Sequence, residues 1–180
     1  MTRFAMVIDT RTCIGCGDCV VACKTENKVP EGLNRDWVVE ATSGVYPDLK
    51  TEFRSERCNH CSNATCVTYC PTGASHYWND SNIVLVDAAR CTGCKACISA
   101  CPYDARLVMH PDGYIDKCTF CHHRVEKGMD PACVSSCPTR CMYFGSLDDP
   151  DSEVSRLLKT RQHKVLHPAA GNEPNVYYLI

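Results

Sequence analysis

The stretch CTGCKACISACP, residues 91–102, places four cysteines within eleven positions and follows the last with proline. CIGCGDCVVACK, residues 13–24, repeats the same C-x2-C-x2-C-x3-C spacing with lysine where the proline stood. Working outward, sixteen of the 17 cysteines in this 180-residue chain fall into four groups. These are Cys13, Cys16, Cys19 and Cys23; Cys58, Cys61, Cys66 and Cys70; Cys91, Cys94, Cys97 and Cys101; and Cys118, Cys121, Cys133 and Cys137. The second and fourth keep C-x2-C at the start and x3-C at the end but lengthen the middle, to x4 and x11. This is an internal repeat. Only Cys141 is left over.

Composition points the same way. Hydrophobic residues make up 44% of the chain, but only about 35% once the cysteines are set aside, which is thin for a chain that must bury a core. Something other than apolar packing has to supply cohesion. The net charge of -2, from 19 basic and 21 acidic residues well mixed, leaves no electrostatic footprint for nucleic acid or an anionic membrane surface. MTRFAMVIDTRTC has no signal-peptide h-region, and no window reaches the roughly 20 apolar residues that cross a bilayer. We expect a chain with no Sec signal and no membrane span of its own. Disulfide frameworks belong to exported chains with even cysteine counts, so an odd count without a signal argues against them.

The flanks repeat as well. AMVIDTRTC before Cys13 and IVLVDAARC before Cys91 both run from β-rich apolar residues to an Asp four positions before the cysteine, predicting a short strand that feeds a ligand loop. GYIDKC and TEFRSERC are looser versions. PTGASHYWNDSNIVLVD, 71–87, reads as a hairpin, and CVVAC and CISAC as a turn or two of helix. DDPDSEVSRLLKTRQ predicts a clearer helix, with Asp149 as N-cap, Pro150 at the first helical position and Val154, Leu157 and Leu158 on one face. Residues 24–57 read as a polar insertion punctuated by Pro and Gly. The tail HPAAGNEPNVYYLI reads as extended chain whose apolar end docks on a partner or back onto the body.

A cubane iron-sulfur cluster needs four thiolates converging from different directions. A C-x2-C-x2-C loop wraps three corners, and in the bacterial ferredoxin run the fourth cysteine, followed by proline, ligates the other cluster of a pair. Cys70-Pro71 and Cys101-Pro102 fit that rule. It assigns Cys58, Cys61, Cys66 and Cys101 to one 4Fe-4S cluster and Cys91, Cys94, Cys97 and Cys70 to its neighbour. The outer groups then pair by elimination: Cys13, Cys16, Cys19 and Cys137 at a third cluster, Cys118, Cys121, Cys133 and Cys23 at a fourth. Cys137 has its Pro138, whereas Cys23 is followed by Lys24. Structural zinc uses two C-x2-C knuckles and a spacer, and nothing in tetrahedral zinc binding calls for a third cysteine at i+6 and a Cys-Pro.

Other residues near the cysteines read as supporting parts. Cys141 reads as a small buried hydrophobe, with tuning of the nearby cluster or replacement of a ligand as the sharper alternative. His60, His122 and His123 read as solvent-side loop residues, though each could donate to cluster sulfur or relay a proton. Lys24, Lys95 and Lys117 read as charge compensation for anionic clusters, and Trp37 and Trp78 as fillers of a small core. The G-x-G of CIGCG lies inside a cysteine loop and cradles no phosphate, and no Ser/His/Asp or paired-carboxylate arrangement stands out. No catalytic residue is expected in this chain.

Five segments together, RFAMVIDTRTCIGCGDCVVACKTENKVPEG (3–32), CNHCSNATCVTYCPTGAS (58–75), CTGCKACISACPYDAR (91–106), DKCTFCHHRVEKGMDPACVSSCPT (116–139) and FGSLDDPDSEVS (144–155), resemble the four-cluster electron-transfer subunit of the molybdopterin oxidoreductase (DMSO reductase) family. CPTRC around Cys141, where CPTGA is commoner, makes the polysulfide and thiosulfate reductase subunits the nearest resemblance. NATC stands in place of a Pro-rich turn before Cys66. The resemblance implies an α+β fold of two bacterial-ferredoxin-like modules in pseudo-twofold arrangement, loop-rich with short hairpins and helices. One module would span 58–110, the other 1–57 plus 111–146, with 147–180 as a C-terminal helix and tail. It further implies four 4Fe-4S clusters in a line between a catalytic subunit carrying a molybdenum or tungsten pterin cofactor and a multi-helix membrane subunit that binds quinone. The complex would sit at the periplasmic face, exported with a twin-arginine partner.

Four clusters suit a wire, since a mobile carrier needs only one or two. The competing readings are the same relay in another oxidoreductase, such as an arsenate, tetrathionate or DMSO reductase, a formate dehydrogenase or a hydrogenase; a zinc-binding structural module; and a free-standing ferredoxin, for which the 24–57 insertion and the apolar tail would be superfluous.

Overall fold

In chain order the elements of this computed structural model, which describes residues 2–180, are β1 (Phe4–Asp9), α1 (Asp18–Asn27), β2 (Asp36–Val45), β3 (Asp48–Arg57), α2 (Thr65–Thr68), β4 (Ser75–Tyr77), β5 (Val84–Val86), α3 (Ala96–Ser99), β6 (Leu107–Val108), β7 (Ile115–Asp116), α4 (His122–Val125), α5 (Ala132–Ser136), β8 (Met142–Ser146), α6 (Glu153–Thr160), β9 (His163–Lys164) and β10 (Val176–Leu179). The result is a small mixed helix and sheet fold. Among the described residues no helix is long and apolar enough to cross a membrane.

β1 is the structural pivot. It lies between β8, to which it is antiparallel, and β10, to which it is parallel, in a sheet of order β8-β1-β10-β9. Ala5 through Asp9 are all buried, so FAMVID shows no alternation of exposure. The reason is that both faces are covered. Met6 and Ile8 enter the main core with the cysteines, while Val7 turns the other way to pack with Val154 and Leu179 and, at their edges, Leu157 and Leu158. The tail therefore docks on the body: Val176, Tyr178 and Leu179 are buried, and β10 pairs Met6 with Val176 through Asp9 with Leu179.

The hairpin expected in 71–87 is present as β4 and β5. Residues 24–57 differ from expectation. α1 runs nearly three turns to Asn27, and β2 and β3 then form a ten-pair antiparallel ribbon turned at Tyr46 and Pro47. Its far end is solvated, with Val45, Tyr46 and Leu49 exposed, whereas its near end inserts Asp36, Ser55 and Arg57 into the core. The buried face at that end is polar, so it carries none of the apolar alternation that marks a strand.

α6 starts later than predicted. Ser152, not Asp149, is the N-cap, and Pro150 lies before the helix. The Ser152 hydroxyl accepts from the Ser155 amide at 3.2 Å and donates to the Ser146 carbonyl at 2.7 Å, tying the helix start to β8. Asp149 is taken up in a turn that accepts the Asp151 amide at 2.9 Å. Replacing Ser152 with Ala should therefore cost about 1 kcal/mol, and Asp149 with Ala less than about half of that, as read from thermal or urea midpoints of the intact protein.

Candidate metal centres

Helix packing brings cysteines from different groups together. α1, carrying Cys19 and Cys23, packs on α5, carrying Cys133 and leading into Cys137. α2, carrying Cys66, packs on α3, carrying Cys97. Two cavities result. One, partly open to solvent, is lined by Cys13, Cys16, Cys19 and Cys137 together with Cys141. The other is lined by Cys91, Cys94, Cys97 and Cys70. Each takes three cysteines from one group and one from another.

Among the remaining eight thiols, electrostatic influence also runs between groups. Burial pushes the Cys61 thiol up to about 12, and the charges of Cys58, Cys66 and Cys101 push it the same way. The Asn27 side-chain amide lies 3.7 Å from the sulfurs of both Cys23 and Cys121, and Cys118 and Cys133 act on Cys23. All 17 cysteines are free.

Local backbone explains how the loops curl around these spaces. Gly15, Gly17, Gly93, Lys95, His60, Phe120 and Cys121 all adopt positive φ within the cysteine loops. Two of the glycines are also hemmed in. A Cβ on Gly93 would meet the Gly113 carbonyl at 2.7 Å, and one on Gly15 the Phe53 ring at 2.5 Å. The turns present backbone amides to sulfur: Ser75 N donates to Cys70 at 3.3 Å, Ile115 N to Cys91 at 3.4 Å and Phe120 N to Cys118 at 3.5 Å.

Converging thiols, inward amides and buried cations form a donor set that fits an anionic, sulfur-rich cluster. Burial pushes Cys118 up to about 12 and Cys133 up to about 11, with Arg57 pulling both the other way. Without bound metal such thiols would stay protonated at neutral pH, so thiolate ligation couples to metal binding.

Several buried polar residues carry no sequence signature, and some expectations need correcting. His60 is not on the solvent side: it is fully buried, stacks on Phe120 with ring centroids 3.8 Å apart, and accepts the Val84 amide on Nδ1 at 3.0 Å. Burial, with Lys117 next, holds its pKa well below the usual histidine value, so the ring is neutral. His122 and His123 are half-buried, His123 facing Glu26 at 2.8 Å. Lys117 is also buried, donating to the carbonyls of Val84 and Cys118. Lys24 spans to the Leu33 carbonyl at 2.8 Å, and Lys95 is exposed. Trp37 and Trp78 pack at the edge of the main core. Cys141 is 2% exposed, with its sulfur 3.5 Å from that of Cys137. Arg57 and Arg106, among the most buried cations, are silent in the sequence because nothing in their local residues marks burial.

Comparison with known proteins agrees with this chemistry. Two family models, each described as a 4Fe-4S dicluster domain, match residues 49–147 and 12–75. NrfC of Escherichia coli K12 is 44% identical over 177 residues, covering 97% of this chain and 79% of its own. A tetrathionate reductase subunit of Salmonella typhimurium is 42% identical over 189 residues, covering 98% of this chain and 72% of its own. The arsenate respiratory reductase iron-sulfur subunit of Shewanella sp. ANA-3 is 35% identical over 225 residues, covering 98% and 96%. The chain belongs to the 4Fe-4S dicluster iron-sulfur subunits of the molybdopterin oxidoreductase family. It is an electron-transfer subunit of a reductase complex and carries four 4Fe-4S clusters.

One hemmed glycine and one open one supply a test. Gly93→Ala should reduce iron by about four atoms per chain, one cubane, because neither the strained φ nor the Gly113 carbonyl can give way. Gly17→Ala, whose Cβ would meet nothing within 4 Å, should keep its iron and lose only about 1 to 2 kcal/mol of stability.

Proposed function

We propose that this chain relays electrons between a quinone-reactive, multi-helix membrane subunit and a catalytic subunit carrying a molybdenum or tungsten pterin cofactor. The sixteen grouped cysteines hold the clusters in four crossed quartets: Cys13, Cys16, Cys19 and Cys137; Cys58, Cys61, Cys66 and Cys101; Cys91, Cys94, Cys97 and Cys70; Cys118, Cys121, Cys133 and Cys23. The observation that carries this reading is that two of the quartets each line one cavity. When bound, each cluster supplies a one-electron couple.

The residues around the quartets do the rest. Main-chain amides at Ser75, Ile115 and Phe120 orient toward ligand sulfur, and the apolar side chains of Ile83, Ile115, Phe120 and Tyr178 keep water from the interior. A pseudo-twofold relation of two ferredoxin-like modules, 58–110 and 1–57 plus 111–146, is supported by one detail. His60 and Phe120 hold the same place in their turns, CNHC and CTFC, and stack against each other.

The relatives' names span arsenate, tetrathionate and DMSO reductases, which supports a common relay role under varied catalytic partners. CPTRC at 137–141 supports a partner of the polysulfide or thiosulfate reductase type. A periplasmic position follows if the catalytic partner carries a twin-arginine signal. Anaerobic isolation of the native complex should give about sixteen iron atoms per copy of this chain beyond those of its partners, with molybdenum or tungsten present. The quartets are checked pairwise. Cys70→Ser combined with Cys94→Ser should cost the same single cluster as either alone, while Cys70→Ser with Cys66→Ser should cost two. The reverse pattern overturns the crossed assignment.

A further inference from the structure

Burying an arginine is costly unless its charge is answered, yet this chain buries two of them among thiols. Arg57 is 1% exposed and Arg106 6%. Arg57 donates from Nη1 to the Cys133 sulfur at 2.9 Å and from Nη2 to the Ser55 hydroxyl, which shares a 3.4 Å hydrogen bond with the Cys19 sulfur. One guanidinium thus reaches both quartets built from the first and fourth cysteine groups. Arg106 repeats the arrangement. Its Nη2 donates to the Ser75 hydroxyl at 2.8 Å, Ser75 N donates to the Cys70 sulfur, and Arg106 lines the cavity of Cys70, Cys91, Cys94 and Cys97. Its charge also acts on the thiols of Cys66 and Cys58. Its Nη1 is buried with no hydrogen-bond partner.

Carboxylates answer these charges only in part, since among the described residues one buried ion pair serves Arg57 and none serves Arg106. Asp36 lies 3.7 Å from Arg57, and among the described residues no acidic side chain pairs with Arg106. What remains to balance them is negative charge on the sulfur ligands and whatever they bind. Reduction adds one more negative charge there, and a fixed cation in a water-poor seam favours the reduced form.

We infer that Arg57 and Arg106 are positioning residues that set reduction potential, each raising the potentials of the two clusters whose seam it occupies. Arg57 serves the pair held by the first and fourth cysteine groups, and Arg106 the pair held by the second and third. This rests on the quartets proposed above. Because arginine stays charged at every accessible pH, the bias does not titrate away.

The experiment is a redox titration of the intact complex followed by electron paramagnetic resonance, with iron analysis of each preparation. The variants are Arg106→Gln, Arg106→Met and Arg106→Lys, and the same three at Arg57. With iron retained, Arg106→Gln should move two cluster signals to lower potential and leave the other two in place, and Arg57→Gln should move the complementary two. The reduced-to-oxidised ratio at a fixed poise should fall about tenfold or more, the scale of one charge a few ångströms away in a partly buried site. The Lys variants should keep most of the wild-type potential, and the apolar Met variants give a second reading if Gln leaves an unpaired buried amide. Full iron with all four potentials unmoved overturns the inference and leaves the quartets standing. Iron lost equally from the Lys, Gln and Met variants means a structural role only, which also overturns it. Arg57 and Arg106 variants that both move the same two signals would instead overturn the crossed quartets.

Discussion

Four sulfur atoms have to meet around a space a few ångströms across, and a single short loop of this chain delivers only three of them to any one cavity. The fourth comes from another cysteine group, as Cys137 joins Cys13, Cys16 and Cys19, and Cys70 joins Cys91, Cys94 and Cys97. Every larger feature follows from that need. α1 must lie on α5 and α2 on α3, and short strands must aim each loop, which leaves little chain for a conventional apolar core. The interior is correspondingly mixed: cysteine sulfur packs with Met6, Ile8, Ile83, Phe120 and Tyr178 in one continuous cluster. Such a core is held by its ligands as much as by its side chains, in line with the low apolar content.

The buried polar residues belong to the same economy. A quartet of thiols carrying negative charge makes the interior hospitable to groups that an ordinary core excludes, and Arg57, Arg106, Lys117 and Asn59 all occupy it. His60, which could carry a charge, is kept neutral by burial and by its cationic neighbours. Cations concentrate beside the sulfurs, whereas the ion pairs of the surface, such as Glu26 with Arg124 at 2.9 Å, stay at the rim. Rim pairs of that kind contribute little to stability.

How much of this could be read from the chain depended on whether the signal was local. Cysteine spacing is local, and so is the strand-to-loop pattern before Cys13 and Cys91, so the ligand loops, β1, β5 and the 71–87 hairpin were all legible. The ribbon of β2 and β3 was not. Its solvated end is polar because it leaves the body, and its inner end is polar because Ser55 and Arg57 reach sulfur and Asp36 is buried beside Arg57, so neither end alternates. His60 sits in a loop of small polar residues, CNHCSN, whose burial comes from residues 172–175 far along the chain: Asn175 donates to the His60 carbonyl at 2.8 Å, and Ser62 donates to the Glu173 carbonyl. The cap of α6 falls three residues beyond Asp149 because Asp149 and Pro150 make a good helix start only in isolation, and it is the Ser146 carbonyl on β8 that selects Ser152.

The pairing of β1 with β10 also governs when the molecule can close. The strand that aims the first cysteine loop is flanked by residues 142–146 on one side and 176–179 on the other, so during synthesis it waits, unpaired, for nearly the whole chain to emerge. Contacts of such sequence separation are slow to form and late to form. The loop of Cys13, Cys16 and Cys19 is thus aimed by pairings that form late, although Cys16 itself stays exposed in the finished fold.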